Sequence, residues 1–262
     1  MKRRFAAIKI LFFIPTLFLF CVASAQLYTP ANAHAHNDYL NKVPFYLAFQ
    51  NGFGSIEADV FPVEGDLLVA HYKKDVQPEK NLANLYLNPL IRELAEHKER
   101  KLNLLIDIKE NYKNALALLV NELKPLQNYL STVEKANYIT IIISGDRPPP
   151  SEYKQYPSYI FFDDDLQKAH NAEEWKRVAL VSLPFNKITG WKGEGDLNTG
   201  DEKKLAHIID STHSAGKPIR FWAAPDTKTS WKLQMKLKAD LIGTDKVNEL
   251  AEFLKKKTKK RK

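Results

Sequence analysis

Glu57 and Asp59 stand two residues apart inside Ser55-Ile56-Glu57-Ala58-Asp59-Val60-Phe61. Ile56, Val60 and Phe61 favour a β-strand, and in a strand this spacing aims both carboxylates at one face. Two acids buried side by side are costly unless a cation faces them. A divalent ion suits them, because hard cations prefer oxygen ligands. The competing reading is an edge strand with two solvated acids. Asp107, which ends the run Leu104-Leu105-Ile106, offers a third oxygen. Together Glu57, Asp59 and Asp107 predict a site for one divalent cation, Mg2+ or Ca2+. Lys109 would stand beside Asp107, either as a point charge for a phosphate or as an ion pair that neutralises Glu57 or Asp107. His36 and His71 flank the acidic strand in sequence. Histidine titrates near neutrality, so this pair suits general acid/base work on the two sides of a phosphodiester. His34 shares the strand face of His36 two residues deeper and is expected to pack or support. His97, His170, His207 and His213 fall on predicted helices or loops and read as surface residues.

Something must bring these groups together, and the pattern of apolar runs supplies it. Strands are expected at 33–36, 55–61, 102–109, 138–144, 159–162, 178–181, 218–223 and 239–242, with an extra strand or hairpin at 67–71. Helices are expected at 43–51, 84–100, 112–129 with a break at Pro125, 201–215 and 229–238, and from 245 to Lys255. Gly145-Asp146-Arg147-Pro148-Pro149-Pro150 forbids a helix, and 186–197 reads as loop. The strands are apolar nearly throughout, as in a parallel sheet covered on both faces. Eight such units in this length fit an α/β fold of the (β/α)8 TIM-barrel type, somewhat irregular after the fourth strand. Active residues of such barrels sit at the carboxyl ends of strands, where His36, Glu57, Asp59, Asp107, Lys109 and Trp222 all fall. No GxGxxG or P-loop pattern occurs, which argues against those nucleotide folds.

Residues 1–25 read as a signal peptide: Lys2, Arg3, Arg4 and Lys9, an apolar run from Ile10 to Val22, then Ala23-Ser24-Ala25. The expected location is therefore outside the cytoplasm, periplasmic or secreted. Cys21 is the only cysteine and lies in that segment, which excludes disulfides and thiolate chemistry from 26 onward. The formal charge of +8 is a property of the ends. Without the first 25 residues and the tail 255–262, 28 basic residues face 31 acidic ones. A nucleic-acid-binding face is thus not expected. The tail is expected to be disordered, either solvated or in peripheral contact with an anionic membrane. Residues 26–254 make one barrel domain.

Taken together, His36-Asn37, Glu57-Ala58-Asp59, His71 and Ile106-Asp107-Ile108-Lys109 resemble the phospholipase C-like phosphodiesterase superfamily, which includes glycerophosphodiester phosphodiesterases and sphingomyelinase D. Ala35-His36-Asn37-Asp38-Tyr39, Ile56-Glu57-Ala58-Asp59-Val60 and Arg220-Phe221-Trp222-Ala223-Ala224-Pro225-Asp226 are most similar to a secreted bacterial branch related to the altered inheritance of mitochondria protein family. The resemblance implies that His36 and His71 are the paired catalytic histidines and that Glu57, Asp59 and Asp107 are metal ligands. It implies that Lys109 contacts phosphate, that Asn37 belongs to the substrate site, and that Trp222 is an aromatic at the substrate mouth. Two departures stand out. Asn37-Asp38 replaces the Arg-Gly usual in glycerophosphodiester enzymes, and Asp107 replaces their usual Glu, as in sphingomyelinase D. The expected activity is a metal-dependent phosphodiesterase acting on a glycerophosphodiester or a phospholipid headgroup. The alternatives are a metal-independent phosphatidylinositol-type lipase, for which Arg147 is the loop candidate, and a non-catalytic binder of phosphate ligands.

Overall fold

The computed structural model describes residues 27–96 and 100–259. The expected signal segment and His97 lie outside the described residues. Among the described residues, eight strands run parallel: β1 (Ala33–Ala35), β2 (Ser55–Val63), β4 (Leu102–Ile108), β5 (Ile139–Gly145), β6 (Ile160–Asp164), β7 (Val178–Pro184), β8 (Ile219–Trp222) and β9 (Ile242–Thr244). A ninth, β3 (Asp66–Val69), pairs antiparallel with β2 after the turn Glu64-Gly65. The sheet order is β8-β7-β6-β5-β4-β2-β1-β9. It closes because Asp240 and Leu241 donate their amides to Ile219 O at 2.9 and 3.3 Å, with a parallel bridge from Arg220 to Leu241. The result is the expected (β/α)8 barrel.

The strands are apolar on both faces because both are covered. Ile56, Ala58, Val60, Leu104, Ile106, Ile108, Ile141 and Ile143 point outward into the main core, under α1 (Tyr46–Asn51), α2 (Asn88–Glu96), α3 (Tyr112–Glu122) and α8 (Val247–Lys259). Val181, Ile219 and Phe221 pack outward beneath α6 (Thr199–Ser214), which buries Leu205 and Ile209. Inward, Leu105, Ile142, Leu180 and Leu241 form a small apolar plug. One strand step further along, the same inward faces carry Asp107, Ser144 and Ser182. Strand alternation thus stacks a polar layer on an apolar floor. The register aligns Asp59 with Asp107, and Asp107 with Ser144.

The irregularity expected after 138–144 is present: that unit holds only a 3-10 turn, Pro150–Gln155. The next connection is also short, with α4 (Ala172–Lys176). The helix expected at 84–100 begins with a π-helical turn, Ala83–Leu87. The loop expected at 186–197 includes the short helix α5 (Phe185–Ile188), anchored by buried Phe185. α7 (Lys228–Leu237) is capped by Thr227, whose hydroxyl accepts from Ser230 N. The tail expected to be disordered from 255 is helical through Lys259. Leu250, Ala251 and Leu254 bury the preceding turns, and Thr258 Oγ1 donates to Leu254 O and Tyr28 O. No helix among the described residues is long and apolar enough to cross a membrane.

Candidate active site

The inward carboxylates come together at the carboxyl end of the barrel. Glu57, Asp59 and Asp107 each offer an oxygen within 4.8 Å of the others. Glu57 and Asp59 are 4% and 2% exposed, so the solvated-edge reading fails. β2 is a central strand and places both acids inside. Gly145 permits the packing on the β5 side: its φ is +71°, and a Cβ there would fall 1.9 Å from Asp107 Oδ1.

Each acid has its own partners. Glu57 Oε2 lies 2.9 Å from Arg220 Nη1 and 2.7 Å from His34 Nε2. Burial works to raise its pKa, but Arg220 and His34 outweigh that and hold it well below the carboxylate range. His34 is fully buried and hydrogen-bonded through Nδ1 to Ser55 Oγ at 2.8 Å. Burial and the guanidinium push it down to about 4, so it is a neutral supporting group, as expected. Asp59 Oδ2 accepts from Tyr39 OH at 2.7 Å and from Lys109 Nζ at 2.7 Å. Lys109 also reaches Asp107 Oδ2 at 2.5 Å. Burial lifts Asp107 above its ordinary value despite that lysine. Burial works to lower Lys109, but Asp107 and Asp59 carry it upward. Lys109 thus pairs with Asp107 and with Asp59, not with Glu57.

The two histidines share a design. His36 Nδ1 lies 2.7 Å from Asp245 Oδ1, and His71 Nδ1 lies 3.1 Å from Asp59 Oδ2. With Nδ1 donating to a carboxylate, Nε2 is left to exchange a proton. Burial works to lower the His36 pKa, but the Asp245 hydrogen bond and the charges of Glu57 and Asp245 raise it overall. Asn37 adopts a left-handed φ of 49°. Its amide donates to Asp245 Oδ1 at 3.3 Å and its carbonyl oxygen lies 2.8 Å from Tyr39 OH. Its polar atoms are thus engaged within the protein, fixing the partner of His36. Asp38, next in the motif, is buried and accepts from Phe45 N and Tyr86 OH, which holds the turn.

Of these groups, His36, Glu57, His71, Asp107 and Lys109 line one side of a cleft of about 430 Å3. The other side is built by Ser144, Arg147, Asp163, Asp165, Ser182 and Arg220, with Trp222 at the mouth, 45% exposed. Several of these were not anticipated as site residues. Arg220 is buried and bridges the two sides: Nη1 to Glu57, Nε to Ser182 Oγ at 2.7 Å, and Nη2 3.9 Å from Asp163 Oδ2. Asp226, in the same sequence motif, accepts from Thr244 Oγ1 and Asp245 N, and so positions the carboxylate that holds His36. His170 corrects the surface expectation. Its side chain is 4% exposed and meets Asp164 Oδ2 at 3.0 Å, because its loop folds the ring against Trp175, 5.3 Å between centroids. His213 is partly covered by Asp240, 2.8 Å away, while His207 is exposed.

Comparison with known proteins adds to this geometry. Residues 24–100, which include His36, Glu57, Asp59 and His71, match the AIM6-like phosphodiesterase domain. Altered inheritance of mitochondria protein 6 of Kluyveromyces lactis is 25% identical over 85% of this chain and 72% of its own length. The homolog from Arthroderma benhamiae is 26% identical over 84% of this chain and 82% of its own. The Saccharomyces cerevisiae protein is 38% identical over 75% of this chain and 62% of its own. These relatives are proteins of yeasts and other fungi, named for mitochondrial inheritance. That overturns the expectation of an exported protein, periplasmic or secreted, from a bacterial branch. The crystal structure of a glycerophosphodiester phosphodiesterase from Parabacteroides distasonis superposes with a TM-score of 0.55 at 13% identity, over 86% of this chain and 98% of that one, a likeness of fold. The expected resemblance to the phospholipase C-like phosphodiesterases is met to this extent: residues 24–100 match an AIM6-like phosphodiesterase domain, and the barrel is similar in fold to a glycerophosphodiester phosphodiesterase.

Proposed function

We propose that this protein is a metal-dependent phosphoric diester hydrolase that uses His36 and His71 as an acid/base pair, on a glycerophosphodiester or a phospholipid-type headgroup. One observation carries the reading. Three carboxylate oxygens converge within 4.8 Å beside two imidazoles, each with Nδ1 against a carboxylate. The donor set is all oxygen and anionic, which fits a hard divalent cation such as Mg2+ or Ca2+ held by Glu57, Asp59 and Asp107. When bound, such an ion supplies positive charge against the phosphoryl oxygens.

The protein's own groups do the proton transfers. His71, oriented by Asp59, takes the proton of the attacking hydroxyl at Nε2. His36, whose pKa Asp245 raises, gives its proton to the leaving oxygen. Lys109 offers an ammonium to the phosphate from the floor of the cleft. Trp222 covers the departing group at the mouth.

The test is hydrolysis of bis-p-nitrophenyl phosphate by the purified protein. Turnover is expected with Mg2+ or Ca2+, lost with EDTA and restored by added metal. His36→Ala is expected to lower kcat by roughly 10²- to 10⁴-fold, the usual share of general acid/base catalysis. Activity indifferent to EDTA favours the metal-independent lipase, and full activity in His36→Ala removes the acid/base assignment.

A further inference from the structure

The side of the cleft opposite the acid trio is built of groups that the proposed chemistry does not use, and one of them keeps a buried oxygen unpaired. Asp163 is inside the barrel on β6, 3% exposed, and lines the cleft. Its Oδ2 accepts from Ser144 Oγ at 3.1 Å and lies 3.9 Å from Arg220. Its Oδ1 is buried with no hydrogen-bond partner among the described residues. Burial lifts the Asp163 pKa to about 6, against the charges of Arg220 and Arg147 and the hydroxyls of Ser182 and Ser144, while Ser182 Oγ itself accepts from Arg220 Nε. Buried polar atoms are almost always paired, and an orphan inside a ligand cleft points to what the ligand brings.

We propose that Asp163 is a hydroxyl-reading specificity residue, accepting a hydrogen bond at Oδ1 from a hydroxyl on the substrate group that lies toward β5–β7. The inference rests on the reading of the cleft as a phosphodiester site. Three observations narrow the ligand's chemistry. An ionised carboxylate oxygen only accepts, so the ligand must donate. Asp163 is flanked by the positive charges of Arg220 and Arg147, which leaves little attraction for a second cation such as a choline or ethanolamine head. The side chains nearest it in the wall are polar, Ser144, Arg147, Asp165 and Ser182, which suit a hydroxyl-bearing group better than an acyl chain. A neutral polyol meets all three conditions: hydroxyls toward Asp163, and C–H faces against Trp222. The cleft, about 430 Å3, has room for such a group beside a phosphate.

Calorimetric binding to the metal-supplemented full chain tests this, with glycerol 3-phosphate, propyl phosphate, phosphocholine and phosphoethanolamine as probes. Glycerol 3-phosphate is expected to bind roughly tenfold or more tightly than propyl phosphate, which has the same carbon chain without hydroxyls, because an unmet buried acceptor penalises the analogue. In Asp163→Asn that ratio is expected to collapse toward one, whereas a merely structural role would weaken both ligands together and keep the ratio. Equal affinities in the wild-type protein, the mark of an acceptor that only solvent fills, overturn the proposal, and this arm needs no variant to fold. So does tighter binding of phosphocholine or phosphoethanolamine, or no binding of any probe. Turnover of bis-p-nitrophenyl phosphate by the same preparation separates the outcomes. An active enzyme without hydroxyl preference sinks this inference alone. Preferential binding without turnover sinks the hydrolase reading and leaves the subsite standing.

Discussion

The two sides of the cleft are built to different rules. On the β1–β4 side the ionisable groups are interlocked: Asp59 serves Tyr39, Lys109 and His71, Asp107 shares that lysine, and Asp245 holds His36. On the β5–β7 side the groups are sparser. Arg147 pairs with Asp165 at 3.0 Å, and Asp163 keeps one oxygen unmet. Arg220 spans both. The contrast separates two tasks. Fixed charges must be held rigid where bonds are made and broken, whereas a wall that reads a ligand keeps hydrogen-bonding capacity in reserve.

The sharpest way to break this contrast is to disturb one carboxylate on each side. Asp59→Asn removes an oxygen from the trio and the partner of both His71 and Lys109. It is expected to cost roughly 10³-fold or more in kcat/KM toward bis-p-nitrophenyl phosphate, beyond a single acid/base loss. Asp165→Asn, on the opposite side, is expected to cost less than about tenfold, since a partly exposed ion pair contributes little. Comparable losses would abolish the distinction.

Arg220 is the next test, because it belongs to both sides. Arg220→Met leaves Glu57 and Asp163 buried without their cation, and breaking a buried pair costs about 3–5 kcal/mol. Denaturant unfolding should show that loss. A change below about 1 kcal/mol would mean that the two walls do not depend on it.

Much of this was legible in the sequence, for identifiable reasons. The strands could be read because both faces are buried, so runs such as Ile141-Ile142-Ile143 are apolar throughout. Glu57 and Asp59 could be assigned one face because strand alternation depends on local spacing alone. The partnership of His36 with Asp245 could not be read, because it joins residues 209 apart and exists only once the barrel closes. Arg220 stood inside a motif that was noticed, but nothing local says that a guanidinium there points inward. Asp163, Asp164 and Asp165 are three identical residues in a row. The fold gives them three fates: one orphaned in the cleft, one tied to His170, one paired with Arg147. His170 itself was misread because a polar loop conceals the return that buries its ring.

Two smaller effects refine the account of the interlocked side. The folded-state pKa of His36 is raised, so its proton is held to higher pH than on an ordinary imidazole and is lost as pH rises through that raised value. With His36 as the acid, activity falls on the alkaline side at that point. Asp245→Asn removes the chief raising partner, so the alkaline limb of the kcat profile should move to lower pH. A limb that stays in place would detach His36 from that proton. Lys109→Ala strips the trio of its ammonium. Added Mg2+ is then expected to raise the Tm by more than it does in the wild-type protein, because Asp59 and Asp107, left without their ammonium, gain more from a cation. An equal shift in both proteins would place the metal elsewhere.

The convergence of the three acids on one cation is tested most directly by locating the ion. A crystal soaked in Mn2+, with anomalous diffraction, should show a single strong peak within about 2.0–2.6 Å of oxygens from Glu57, Asp59 and Asp107, the range of hard-cation bonds. A peak outside that trio, or none at saturating Mn2+, would contradict the account.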